Sequence, residues 1–126
     1  MPGNIDEKKL LDKAAQLAFL AKKGRVNTAQ VNKLLEVLNS VGDDKTSLLY
    51  LAAFAMRQAG KGQLSRDFAR KLKEELLILY RSAENSRNAA RTLLGSMKWL
   101  FESIEKERIN FSAKVETFED FMGLLR

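Results

Sequence analysis

The side chains of this 126-residue sequence with the most chemistry to offer are its 22 lysines and arginines. On a helix turning about 100° per residue, Arg66, Arg70, Lys73 and Arg81 fall in one sector, opposite the apolar stripe of Phe68, Leu72, Leu76 and Leu79. On the next amphipathic stretch Arg87, Arg91 and Lys98 align in the same way, away from the apolar side. Such rows suit phosphate oxygens, which an arginine can grip through two parallel hydrogen bonds. They equally suit a solvated face laced with i,i+4 pairs, such as Arg70 with Glu74 and Lys71 with Glu75. The excess of 22 cations over 16 carboxylates is also uneven. Residues 57–91 hold nine basic and four acidic side chains, so the middle of the chain supplies most of the net +6. A basic surface of that kind calls for an acidic partner, nucleic acid before others.

Two absences narrow the chemistry. The sequence has no His, which removes the usual general base and the commonest metal ligand. It has no Cys, which removes thiolate nucleophiles, disulfides and thiolate zinc sites. Gly60-Lys61-Gly62 lacks the spacing of a phosphate-binding Walker loop. Glu102, Glu105 and Glu116 could be drawn as a metal cluster, with the first two three apart, but Lys106 and Arg108 beside them point to solvated helix surface. No enzyme, no metal and no cofactor are expected. Trp99 is the odd aromatic: it projects with Thr92, Ser96 and Ser103, away from Leu93, Met97 and Ile104. The reading is a contact with the last helix or a neighbouring subunit, with stacking on a base as the alternative.

The elements that must position these groups are helices. The only Pro is at position 2, and apolar residues recur at three- and four-residue spacing throughout. The pattern predicts an all-α protein, a compact bundle of five to six helices forming one domain over residues 1–126. The first helix spans Asp6 to Lys23 and stops at Gly24. The second starts at Asn27, whose spacing to Gln30 forms a capping box, and buries Val31, Leu34, Leu35, Leu38 and Val41. The third runs from Thr46 or Ser47 to Gly60 and is apolar around most of its circumference, as expected of the central helix. The fourth is capped by Ser65, the fifth runs from Arg87 to Glu107, and a last helix begins at Thr117. That last helix carries Phe118, Phe121, Met122 and Leu125 on one side and reaches Arg126 without a cap, which invites self-association. No secretory signal is expected from the opening residues, where no long uncharged apolar run follows, and the longest apolar stretch, Leu48 to Met56, is half the length of a membrane span. A cytoplasmic protein without membrane contact is expected.

Three stretches resemble the small helical subunit of type III-A (Csm-type) CRISPR effector complexes. The segment from Val26 to Leu35, Val-Asn-Thr-Ala-Gln-Val-Asn-Lys-Leu-Leu, is similar to that family's first motif, with Asn32 where the family has Arg and Lys33 directly after it. Ala59-Gly60-Lys61, with Phe68 seven residues on, resembles its Ala-Gly-Arg turn and following helix. Phe118 to Leu125 looks like the start of its closing helix. The resemblance implies a non-catalytic subunit, present in several copies beside other subunits of the complex, that touches crRNA and target RNA through their backbones. It names Lys33 and Lys61 as RNA-binding positions. Helical geometry adds Arg57, Arg66, Arg70, Lys73, Arg87 and Arg91, with Trp99, Phe118, Phe121 and Leu125 as interface residues. The competing readings are a helical DNA-binding module and a protein–protein interaction bundle without nucleic acid. The second and third helices could be drawn as helix-turn-helix, but the third is too apolar to read a groove.

Overall fold

A computed structural model describes residues 6–82, 85–104 and 109–125. Six helices follow one another: α1 (Glu7–Lys23), α2 (Thr28–Ser40), α3 (Thr46–Gly60), α4 (Arg66–Ser82), α5 (Ser86–Ser103) and α6 (Phe118–Met122). The described residues contain no strand, so the protein is an all-α bundle.

Local chemistry sets the helix ends. The Asp6 carboxylate accepts from the N–H groups of Lys8 and Lys9, at 2.9 and 3.4 Å, and starts α1. Lys22 and Lys23 complement its C-terminal dipole, and the Gly24 N–H donates to Leu20 O at 2.9 Å. The box at the start of α2 is closed in both directions, Gln30 N–H to Asn27 Oδ1 and Asn27 N–H to Gln30 Oε1, each 2.8 Å. Ser65 Oγ accepts from the Phe68 N–H at 3.3 Å and starts α4.

One contiguous core joins the helices. α1 packs against α4, α5 and α6, while α5 touches α1, α2, α3 and α4. The buried side of α1 is rich in alanine (Ala14, Ala15, Ala18 and Ala21 are fully buried), which lets α5 approach closely with Leu93, Leu94, Met97 and Phe101. This pair, and not α3, forms the centre. The run Leu48 to Met56 reads as apolar all round, yet Tyr50 is 54% exposed and Leu49 36%, because α3 packs only between α2, α4 and one edge of α5.

Three further boundaries differ from expectation. Val41 is the C-cap of α2, in extended backbone and 37% exposed, so it leaves the buried face. The fifth helix ends at Ser103, where Ile104 turns extended and tucks into the core; the segment 105–108, including Glu105 and Glu107, lies outside the described residues. The last helix has five residues only. Thr117 and Asp120 form its capping box and the Gly123 N–H closes it on Glu119 O at 3.0 Å. Its apolar face is therefore not left running. Residues 109–125 strap onto α1 instead: Gln16 Nε2 donates to Glu116 O at 2.7 Å, the Phe118 N–H to Asp12 Oδ1 at 2.8 Å, and the Phe111 ring meets Phe19 at 5.7 Å. Among the described residues, no helix is long and apolar enough to cross a membrane.

Candidate nucleic-acid interface

Two turns far apart in sequence meet at one end of the bundle. The α1–α2 turn (residues 24–27) lies against the α3–α4 turn (residues 61–65). Their approach is close: a β-carbon on Gly24 would collide with the Ser65 side chain, whose Oγ lies 2.5 Å from that position. Glycine is needed at position 24 for space, not for its backbone angle, which is an ordinary φ of −85°. The Gln30 side-chain amide bonds the Gln63 carbonyl and ties the turns together. Between them lies an open cleft of about 540 Å³ bordered by Arg25, Asn27, Gln30, Gln58, Gln63 and Ser65. The N-termini of α2 and α4 and the C-termini of α1 and α3 all meet at this end, so their helix dipoles offset and the positive charge comes from the side chains.

This docking gathers cations. No carboxylate occurs from Lys13 to Leu35, nor from Lys45 to Arg66. The end of α1 and its turn bring Lys22, Lys23 and Arg25. The end of α3 and its turn bring Arg57 and Lys61, and the start of α4 brings Arg66 and Arg70. Lys33 lines a neighbouring groove with Gln58 and Gln63. The carboxylates bordering this end among the described residues are Glu36, Asp67, Glu74 and Glu102; Glu36 sits 3.4 Å from the Lys33 ammonium, and Glu74 stands one turn along α4 from Arg70. Arg57, Lys61, Arg66 and Arg70 are exposed and form no ion pair with a described residue. Lys22 lies over the Phe101 ring at 4.2 Å, with its stem held against the core. Lys73 is half-buried and stands two turns along α4 from Arg66, about 10 Å away. Of the i,i+4 pairs considered for α4, Lys71–Glu75 forms at 3.1 Å and buries Glu75, which Lys13 also approaches at 3.7 Å.

The structure separates two predicted members from this group. Arg87 lies at the opposite end and is not an outward phosphate ligand. Its Nη2 donates to Gly42 O at 2.5 Å and Asp43 O at 3.0 Å, and its Nε to Ser47 Oγ at 3.2 Å. The guanidinium thus closes the α2–α3 turn, where the carbonyl end of α2 favours a cation. Arg91 is exposed but bound through Nε to Asn39 Oδ1 at 2.7 Å. It braces α5 to α2.

The interface residues also divide. Trp99 does not pack on the last helix; it is 77% exposed, one turn above Gly95, where added bulk would meet open space. Phe121 is fully buried and belongs to the core rather than to an interface. Phe118 and Leu125 are half-buried against the same core. Lys22, Lys23 and Arg25 are the residues that sequence reasoning missed. The acid-free run around them was the available signal, but its meaning depends on the docking of the two turns. Among the described residues, no group of three or more His, Cys, Asp or Glu could hold a metal ion. Comparison with protein-family models, curated proteins and solved structures finds no match to the chain.

Proposed function

We propose that this protein binds the sugar–phosphate backbone of RNA through the basic end of the bundle and catalyses no reaction itself. The observation that carries this reading is the collection of Arg25, Arg57, Lys61, Arg66 and Arg70 around two touching turns, with few carboxylates to neutralise them. A cation left unpaired on a surface binds phosphate by releasing condensed counterions, and needs no base sequence to do so. The resemblance to the type III-A small subunit supplies the biological setting: a cytoplasmic ribonucleoprotein in which crRNA pairing carries specificity and several copies of this chain, beside other subunits, hold the crRNA and target RNA. Repetition along such a filament multiplies a modest affinity per copy.

The test is binding of the purified chain to a single-stranded RNA at several salt concentrations. Charge reversal at Arg57, Lys61, Arg66 and Arg70 is expected to weaken binding by more than about tenfold at low salt, with the helical circular-dichroism signal unchanged. Undiminished binding rejects this surface. Genes for a large polymerase-like subunit and ferredoxin-like RNA-binding subunits beside this one would establish the setting; a neighbourhood without them would remove it.

A further inference from the structure

The cleft between the two turns offers more than charge. Buried Val26 and Leu64 border it, while most of its lining is polar. Its polar rim is partly used up: the Gln30 amide is committed to Asn27 and Gln63, and Ser65 Oγ to the Phe68 N–H. What is left over is the amide NH2 of Asn27 and the whole carboxamides of Gln58 and Gln63, none of which bonds a described residue. A carboxamide presents a donor and an acceptor side by side. Phosphate can use only the donor, whereas the edge of a nucleobase uses both.

Arg25 points the same way. With φ at 60° it is the one non-glycine residue in left-handed backbone among the described residues. That conformation closes the end of α1, where the Arg25 N–H donates to Lys22 O at 3.1 Å and the Val26 N–H to Ala21 O at 2.8 Å; it also carries the side chain clear of the helix. Arg25 borders the cleft, and a guanidinium plane stacks on a base as an aromatic ring does.

We infer that this cleft seats one unpaired nucleobase of a bound single-stranded RNA, with Gln58 and Gln63 along its edge and Arg25 against its face. The inference rests on the RNA-binding reading and adds a preference to it. A base already paired in a duplex has its edge occupied and its faces stacked, so the cleft selects single strands or bases splayed out of a helix.

The experiment compares binding of the full chain to a ten-nucleotide oligouridylate and to an abasic phosphodiester of equal length, by fluorescence anisotropy at one salt concentration. The base-bearing strand is expected to bind about tenfold more tightly, the scale of one stacked base. Two variants should reduce that ratio to within about twofold: Gln58→Ala with Gln63→Ala, and Arg25→Gly. Because glycine suits the left-handed position, Arg25→Gly is expected to keep or raise the melting temperature, so a lost preference there is not a folding failure. Equal binding of the two strands by the native protein overturns the inference and leaves backbone binding standing. A preference that survives in both variants also overturns it. Binding of neither strand at low salt overturns the RNA reading and this inference together.

Discussion

The guanidinium of Arg87 directs its donors to the carbonyls of Gly42 and Asp43 and to Ser47 Oγ, at 2.5, 3.0 and 3.2 Å. The turn it closes is itself tightly specified. Asp43 Oδ1 accepts from the Thr46 N–H and hydroxyl, which chiefly hold its carboxyl below the usual range, and from the Lys45 N–H. Gly42 has φ of +80°, and a β-carbon there would lie 2.8 Å from Ser47 N. Replacing Arg87 with Ala hands the exposed Gly42 and Asp43 carbonyls to water and removes the brace on the turn, at a cost of about 0.5–1.5 kcal/mol. The expected result is a lower urea midpoint with an unchanged slope, because the same surface is still exposed on unfolding. RNA affinity should not move, since Arg87 sits at the far end from the basic cleft. A tenfold loss of affinity in Arg87→Ala, with stability intact, would return this residue to the binding surface. The sequence showed an arginine in helical register with Arg91. It did not show carbonyl partners 44 and 45 residues away.

Among the elements, helix starts were legible wherever the chemistry is local. Asn27 with Gln30, Ser65 with Phe68 and Thr117 as a start all lie within one turn of the residues they cap. What periodicity could not reveal is which face is covered by a partner: Leu48 to Met56 spells a helix buried all round, and Tyr50 is in water. The α6 strap makes the same point with electrostatics. Lys8 bridges Asp12 at 2.6 Å and Glu119 at 2.8 Å, and Asp12 also accepts from the Phe118 N–H. Asp12 and Glu119 are held below their ordinary values chiefly by the Lys8 hydrogen bond, and Asp120 by the Glu116 N–H. Depressed carboxyl pKa values mean that the unfolded chain binds more protons on acidification. The strap's ionic contribution is therefore complete above the ordinary carboxylate values of 3.8 and 4.5, and is lost as pH falls through the lower folded ones. Lys8 has the opposite sense. Its raised pKa makes its contribution complete below 10.5 and lost as pH rises past the folded value. Amide exchange at Phe118 should accelerate, relative to core amides of α1, below about pH 4 and again in strong alkali. Uniform acceleration across both segments would mean that the strap does not open separately. Gly24→Ala probes the other junction. It forces the two turns apart and is expected to cost about 1–3 kcal/mol, read as a fall in melting temperature.

For the molecule as a whole, the question is whether +6 acts as a net charge or as a placed one. The α1 helix of 17 residues spans about 25 Å between the two ends of the bundle. At physiological ionic strength the screening length is about 8 Å, so cations at the far end contribute little to phosphate held at the basic end. Neutralising four to six RNA phosphates there gives a slope of about −3 to −4 for log K against log salt, using the single-strand factor of about 0.7 per phosphate. Two pairs of substitutions then change net charge equally but at different ends. Arg57→Gln with Lys61→Gln should flatten the slope by about 1.4 and weaken binding. Lys9→Gln with Lys45→Gln should leave the slope within error, because those residues sit at the start of α1 and of α3. Equal flattening by both pairs would mean that RNA is held by diffuse positive charge, and the two touching turns would then have no special claim as the binding surface. A change confined to the first pair ties affinity to the junction itself. Only the folded chain creates that junction, because the acid-free stretches that form it are remote from each other until Gly24 meets Ser65.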